Sequence, residues 1–291
     1  MQELVFVSAS TCCFVSLVMI GLILARKTHL PIVSKVLSPP STVVTPGKPL
    51  PVPPNQKRVG PWNIAGVNNP ENAEFRKDAF RIKYVGGKWG NESGAGFHAN
   101  PFNMLPATSC TFSFSVFFAS NFNFKKGGKL PGLCFGTAED DCATGGEWSG
   151  QGGSFRTIMR EDGVAVANFY LALGDKNAAF DKQSKEYASV AEISGGGHLL
   201  WRKEASLRFK RGAWNTVTMR LVLNTPGASD GMASLTVNGV TKTMRGVMFR
   251  KLAATKITSV SVASFFGGGS SDWAAPSGQW ADFKDFKFSV P

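Results

Sequence analysis

The chain of 291 residues has a formal charge of +12 and contains 32 glycines and 23 phenylalanines. This composition favours a β protein and argues against an architecture of long charged helices. The positive charge indicates an anionic partner, and charge alone does not choose among nucleic acid, a membrane surface and a polyanionic glycan. No sequence signature of a nucleic-acid-binding fold accompanies the charge, so nucleic acid is the least favoured partner.

An apolar segment opens the chain. Residues 4–25 carry no charge and are numerous enough to cross a bilayer as one helix. The segment lacks a basic start and leads into Ala25-Arg26-Lys27, which favours an uncleaved anchor over a signal peptide. We therefore predict a single transmembrane helix within residues 1–27. Basic residues follow on its C-terminal side, which predicts that the remainder lies on the cytoplasmic side of the membrane.

Residues 28–58 are rich in proline. Such a segment is extended and semi-rigid, so we interpret it as a spacer between the anchor and a globular domain over residues 59–291. A proline-rich docking site is the alternative interpretation of the same segment.

Five cysteines bear on the redox state of the protein. Two lie in the apolar segment, which leaves Cys110, Cys134 and Cys142 in the body without the spacing of metal ligands. A reduced domain is the expectation that fits cytoplasmic placement. Cys134 and Cys142 flank a loop, so a disulfide between them is the open alternative.

From about residue 60 the chain breaks into short alternating runs. Apolar residues alternate with small or polar ones over residues 112–118, 217–223 and 260–262, as in half-buried strands. Asn238-Gly239 is a strong signal for a hairpin turn, and a strand with Phe283, Phe286 and Phe288 closes the chain. Many short strands with regular turn signals predict an all-β jelly roll or sandwich of two antiparallel sheets.

One stretch combines reactive side chains with glycines. The sequence GGKLPGL (127–133) precedes a glycine-rich loop and then Gly153-Ser154-Phe155-Arg156. Residues i and i+2 of a strand share a face, so Ser154 and Arg156 should reach into one space. The glycines and the proline around Lys129 predict a fixed loop. Lysines 125 and 126 would lower the pKa of Lys129 if they are close to it.

These motifs, together with LVLN-x-PG-x-x-DG (221–231) and FFGGG (265–269), resemble polysaccharide lyase family 14, the alginate and glucuronan lyases best known from chlorella viruses. The resemblance spans about residues 60–291 and implies a jelly roll whose concave sheet binds an acidic polysaccharide. Matched by motif, it implies four functional residues: Lys129, Ser154, Arg156 and Tyr170. The family carries a further tyrosine two positions before the last of these, where this chain has Asn168.

The implied reaction is β-elimination at a uronate. The C5 proton leaves, the C5 carboxylate is neutralised and O4 is protonated, which calls for a cation or donor, a base and an acid. Arg156 suits the carboxylate, and Lys129 suits either the carboxylate or the base. Tyr170 suits the acid or a combined acid and base, whereas Ser154 and Asn168 suit hydrogen bonding to the sugar. The ordinary alternatives are solvated basic residues and a half-buried strand tyrosine.

Two further residues are predicted to bind substrate. Trp148, in the glycine-rich loop, is the tryptophan best placed to stack on a sugar ring, whereas a core position is the favoured alternative for most of the tryptophans. His98 could face the cleft, and a structural role is its favoured alternative. The reaction requires no cofactor and no metal ion.

The sequence therefore predicts a membrane-anchored lyase that acts on glucuronan or alginate. The alternative is a weakened or inactive lyase fold that binds glycans or serves as a minor capsid protein bridging the viral membrane and shell. Its partners would then be capsid proteins, and its location the virion.

Overall fold

A computed structural model of the chain describes residues 62–138, 141–143, 152–171, 192–194, 197–201 and 206–291. Within these ranges, no helix is long and apolar enough to cross a membrane. The predicted anchor, the predicted linker and Trp148 lie outside the described residues.

The described residues form two antiparallel sheets, as the sequence predicts. Strands are numbered in chain order. One sheet has eight strands in the order β1 (Ala65–Asn68), β4 (Ala95–Ala99), β14 (Lys256–Phe266), β6 (Gly128–Gly136), β7 (Gly153–Met159), β8 (Ala165–Tyr170), β10 (Gly197–Leu200) and β9 (Glu192–Ser194). The other has seven in the order β13 (Val240–Val247), β12 (Gly231–Val237), β11 (Trp214–Val222), β5 (Ser109–Phe118), β15 (Gln279–Ser289), β3 (Phe80–Tyr84) and β2 (Ala73–Phe75). Short 3-10 helices cover Pro70–Asn72, Gly90–Ser93, Pro101–Asn103, Glu161–Gly163 and Ser271–Trp273.

Alternating side chains of both sheets supply the main hydrophobic core, and a small separate cluster is formed by Ile158, Val166 and Leu199. On β5 the buried residues Phe112, Phe114 and Phe118 alternate with smaller or more exposed ones, which confirms the predicted strand. Because period-two alternation places every second side chain on one face, the pattern read from sequence fixes which face of the strand is buried. Each fully buried phenylalanine contributes about 1.5–3 kcal/mol.

The predicted hairpin is confirmed between β12 and β13. Val237 pairs with Val240, and the two residues between them, Asn238 and Gly239, have φ angles of 51° and 84°. Positive φ at both central positions is the requirement of a type I′ turn, which asparagine and glycine meet at low energy.

The terminal strand β15 contains a bulge that the sequence reading did not resolve. Its pairing with β5 shifts between Lys284 and Lys287, and Asp285 has a φ of 52°. The extra residue lets Phe286, which is out of step with Phe283, pack against the same core.

The predicted loop around Lys129 is wrong, because Lys129 lies on strand β6. Glycine is present at these positions because neighbouring strands leave no room for a side chain. A side chain at Gly128 would overlap the carbonyl oxygen of Phe265, and one at Gly132 would overlap that of Phe155. Pairing with β7 shifts between Lys129 and Gly132, so the glycines reflect close neighbouring strands around an irregular stretch.

The expectation of reduced cysteines is wrong for one pair. Cys134 and Cys142 form a disulfide, with their Cα atoms 4.8 Å apart. The Asp141 carboxylate accepts hydrogen bonds from the backbone N–H groups of Thr137 and Ala138, both at 2.7 Å. These bonds turn the chain back after β6 and bring the two cysteines within the range that a disulfide requires.

Candidate functional site

Adjacent strands β7 and β8 bring together four of the predicted residues. Ser154 pairs directly with Tyr170, and Arg156 pairs directly with Asn168. Side chains directly opposite each other in a sheet lie on the same face. The S-x-R pattern and the tyrosine-bearing strand therefore present their polar side chains to one common space, as predicted from their spacing.

The opposite face of the same strands holds this arrangement in place. Phe155 and Phe169 are fully buried in the main core, and their rings stack with centroids 4.3 Å apart. Because these residues alternate with the polar ones, their packing fixes the register that aligns the site.

Lys129 joins the site from the neighbouring strand β6. Its side chain is buried, and its Nζ lies 4.2 Å from the centroid of the Tyr170 ring. Burial holds the pKa of Lys129 well below its ordinary value, and the positive charges of Arg156 and Arg160 lower this pKa further. All three influences favour a neutral amine, which can accept a proton.

Arg160 is a residue of this site that sequence reasoning missed. It follows the end of β7, is buried, and lies with its guanidinium 4.9 Å from the Trp273 ring centroid. Lys125 and Lys126, which were expected to lower the pKa of Lys129 if close to it, direct their side chains to the Ala274 carbonyl and to Asp272, and the positive charges that lower this pKa are those of Arg156 and Arg160. Residues 154, 156 and 160 share one parity, so the alternation that groups Ser154 with Arg156 also places Arg160 on that face; the signal was in the sequence, beyond the end of the S-x-R motif.

Arg156 is held in a fixed orientation. Its Nε donates to the Leu130 carbonyl and its Nη2 donates to the Ala263 carbonyl, both at 2.8 Å. Burial lowers the pKa of Arg156 to about 10, and Tyr170 opposes that shift. Arginine has five N–H donors in a planar fork, so donors remain for a ligand after these two bonds.

Ser154 and Asn168 are both fully buried. The Ser154 hydroxyl donates to the Ala143 carbonyl at 2.7 Å, in the segment that follows Cys142. The Asn168 Nδ2 donates to the His198 carbonyl at 3.4 Å. The Oδ1 of Asn168 has no hydrogen-bond partner among the described residues, which leaves a buried acceptor on the site face.

His98 lies farther along the same sheet. It pairs with Ser261, which pairs with Gly132, which pairs in turn with Arg156. This row places the half-buried His98 on the face that carries the other polar residues, with strands β14 and β6 between it and Arg156. The structure thus brings His98 to the site face, and its predicted contact with substrate stays a prediction.

The arrangement suits an anionic ligand. Lys129, Arg156 and Arg160 place three buried basic groups near one another. Buried donors are stronger electrostatically than exposed ones, since water does not screen them. A lysine with a lowered pKa beside a tyrosine also provides a proton acceptor and a proton donor in contact.

A family model described as polysaccharide lyase 14 matches residues 72–286. Among curated proteins, the chain is 30% identical over 182 residues to the exolysin of Paramecium bursaria Chlorella virus 1. That match covers 58% of this chain and 27% of the exolysin, so the chain spans about a quarter of that relative's length.

Two solved structures share the fold. The marine PL-14 alginate lyase from Aplysia kurodai superposes with a TM-score of 0.68 at 24% identity, covering 78% of this chain and 90% of that one. The alginate lyase vAL-1 from a Chlorella virus gives a TM-score of 0.64 at 21% identity, covering 79% and 93% of the two chains.

Proposed function

Because the chain belongs to polysaccharide lyase family 14, we propose that it cleaves a uronic-acid-containing polysaccharide of the glucuronan or alginate type by β-elimination. One observation carries this proposal: the contact between Lys129 and Tyr170 beside the buried Arg156. The two related structures are alginate lyases, and alginate is an acidic polysaccharide, which supports the substrate class.

In the proposed reaction, Arg156 binds the C5 carboxylate. Its two bonds to backbone carbonyls set the plane of the guanidinium before substrate arrives. A preoriented cation at the carboxylate stabilises the negative charge that develops when the C5 proton leaves. The buried Oδ1 of Asn168, paired directly with Arg156, accepts a hydrogen bond from a sugar hydroxyl.

Lys129 and Tyr170 carry the protons. The neutral amine of Lys129 takes the C5 proton, and the Tyr170 phenol gives its proton to O4 as the glycosidic bond breaks. The products are a protonated lysine and a phenolate, and the lysine Nζ lies 4.2 Å from the centroid of the tyrosine ring, so return of the proton from Lys129 to Tyr170 restores the starting state. No water is consumed, and a C4–C5 double bond forms in the product.

The test uses the full chain purified in detergent with glucuronan, alginate and a neutral polysaccharide. We expect the ultraviolet absorbance of the unsaturated product to rise with one of the acidic substrates only. The variant K129M should abolish this rise without loss of binding. If the natural protein binds an acidic polysaccharide but gives no rise across a broad pH range, the enzymatic proposal is refuted.

A second candidate is a weakened or inactive lyase fold that binds glycans or bridges a viral membrane and capsid. Asn168 favours it, because it replaces a tyrosine of the family motif directly opposite Arg156. Restoring the tyrosine with N168Y should raise the elimination rate by about 10²–10⁴-fold if a lost proton-transfer group limits the natural protein. An unchanged rate with intact folding would show that Asn168 is not a defect. A fixed stoichiometry in purified virions would support the capsid role.

Membrane anchoring through residues 4–25 belongs to the same proposal. The full chain should stay with membranes after an alkaline wash, and a chain lacking residues 1–27 should not. The Cys134–Cys142 disulfide removes the support that reduced cysteines gave to cytoplasmic placement, because disulfides persist mainly in oxidising compartments. Protease protection of sealed membranes will decide the side.

A further inference from the structure

Three metal-ligating side chains converge at the disulfide end of the site face. One ligand atom from each of His98, Cys134 and Cys142 lies within 4.8 Å of the other two. We propose that these residues form a zinc-binding site when the Cys134–Cys142 disulfide is reduced. The proposal is independent of the lyase reaction.

The donor set selects the metal. Two thiolates and one imidazole are ligands of zinc, which takes Zn–S distances of about 2.3 Å and Zn–N distances of about 2.0–2.1 Å. In a tetrahedral site these lengths put the two sulfurs roughly 3.8 Å apart and the nitrogen roughly 3.5 Å from each sulfur. The His98 nitrogen, which lies within 4.8 Å of the sulfurs, therefore has to approach them by about 1.3 Å at most, and a fourth position remains for water or an external ligand.

The supporting elements divide into rigid and adjustable parts. His98 lies on β4 and Cys134 on β6, and both pair with β14 between them. Cys142 lies outside the strands and is only partly buried. After reduction the two sulfurs must separate by about 2 Å, from bonded contact to the spacing of zinc ligands. We expect Cys142 to supply this movement, since no sheet pairing holds it.

Ser259 supports the histidine. Its Oγ lies 3.5 Å from the His98 Nδ1. Ser259 on β14 also pairs directly with Cys134 on β6. Metal-binding histidines are commonly oriented by a hydrogen bond from their other ring nitrogen. The strand that separates His98 from Cys134 thus carries a group suited to orient the imidazole.

The redox step balances with an external dithiol. The dithiol gives two electrons and two protons, the S–S bond breaks, Cys134 and Cys142 become thiols, and the reductant becomes a disulfide. Zinc binding then displaces two thiol protons into solvent. Zinc affinity should therefore require reduction and fall as pH decreases.

The site also touches the proposed cleft. Cys134 pairs directly with Ser154, and the Ser154 hydroxyl donates to the carbonyl of Ala143, the residue after Cys142. A movement of Cys142 displaces this acceptor, so zinc binding should change the environment of Ser154.

The experiment uses the full chain with C12S and C13S in every sample, so that thiols of the apolar segment do not contribute. Reduced, chelator-treated protein is titrated with Zn²⁺, and with Co²⁺ to detect thiolate-to-metal charge-transfer absorption. We expect one equivalent bound by the reduced protein and none by the oxidised protein. H98A should weaken zinc binding by at least about tenfold, since even the loss of an outer-shell partner weakens binding 10–100-fold. C110S, which removes the buried free thiol, should bind as the natural chain does.

Several results would overturn the proposal. They are the absence of stoichiometric binding to folded reduced protein, equal affinity in H98A, or loss of binding in C110S. If H98A fails to fold, H98Q replaces it, and folding is checked in the oxidised form by tryptophan fluorescence and thiol counting. Equal affinity in H98Q would also refute the role of His98.

Discussion

Lys129 should reduce the stability of the fold. Its amine is buried near two positive groups, so the folded protein disfavours the protonated form that the unfolded chain prefers. Replacing it in K129M keeps an unbranched chain of similar length and removes the charge. We expect K129M to unfold at higher denaturant concentration than the natural protein while losing elimination activity.

The magnitude follows from two opposing effects. Removal of the buried amine, which burial forces to lose its proton, should stabilise the fold by about 1–4 kcal/mol, by comparison with buried ion pairs replaced by apolar residues. A neutral amine makes no cation–π interaction, so loss of its contact with the Tyr170 ring should cost less than about 0.5 kcal/mol. The net expectation is a gain of about 0.5–4 kcal/mol near neutral pH.

The pH dependence has a defined sign. The pKa of Lys129 is lowered from 10.5 in the folded state, so the unfolded chain binds one more proton between the lowered pKa and 10.5. Within that window the stability of the natural protein rises with pH, by up to about 1.4 kcal/mol per unit. Below the lowered pKa, the unfavourable contribution is fully present and constant. K129M lacks this contribution, so its advantage should shrink as pH rises through the window.

The assay is denaturant unfolding without reductant, followed by tryptophan fluorescence at several pH values. The neighbouring variant K126M is the control, because it removes one charge from an exposed ion pair with Asp272, worth about 0–1 kcal/mol. The reasoning is refuted if K129M is less stable than the natural protein at every pH. It is also refuted if the difference between the two proteins does not vary with pH.

Two further predictions concern the arginine and the core beneath it. R156K should lower the elimination rate by about 10²–10³-fold at unchanged pH, because lysine cannot keep both carbonyl contacts and still bind a carboxylate in bidentate fashion. Steady-state kinetics measures this rate. Near-normal activity of R156K would contradict the role of Arg156. F169A should destabilise the fold by about 3–5 kcal/mol, because it removes a fully buried ring stacked on Phe155. L252A, at an exposed leucine, should change stability by less than about 0.5 kcal/mol in the same denaturation experiment.

Sequence reasoning succeeded where side-chain periodicity decides the structure. The alternation over 112–118 predicted which residues of β5 face the core, and Asn238-Gly239 predicted the hairpin. The same rule predicted that Ser154 and Arg156 share a face, and the pairing with Tyr170 and Asn168 agrees with it. These features depend on neighbours along the chain or on one strand.

Reasoning from sequence failed where distant segments meet. The glycines around Lys129 predict a loop, but in the structure they lie on a strand where carbonyl groups of β14 and β7 approach too closely for a side chain. The lowered pKa of Lys129 depends on burial and on packing between strands, which the sequence does not show. The disulfide depends on the turn that Asp141 stabilises, which residue spacing alone does not determine.

The stack of Phe155 on Phe169 has a consequence for how this chain can change over generations. The rings occupy one face of β7 and β8 and the reactive groups occupy the other. An exchange on the outer face, such as one at position 168, can therefore change the chemistry offered to a ligand and leave the stacked rings that align the strands in place. Fold and chemistry are thus carried by opposite faces of the same two strands, and each can be altered by mutation without the other.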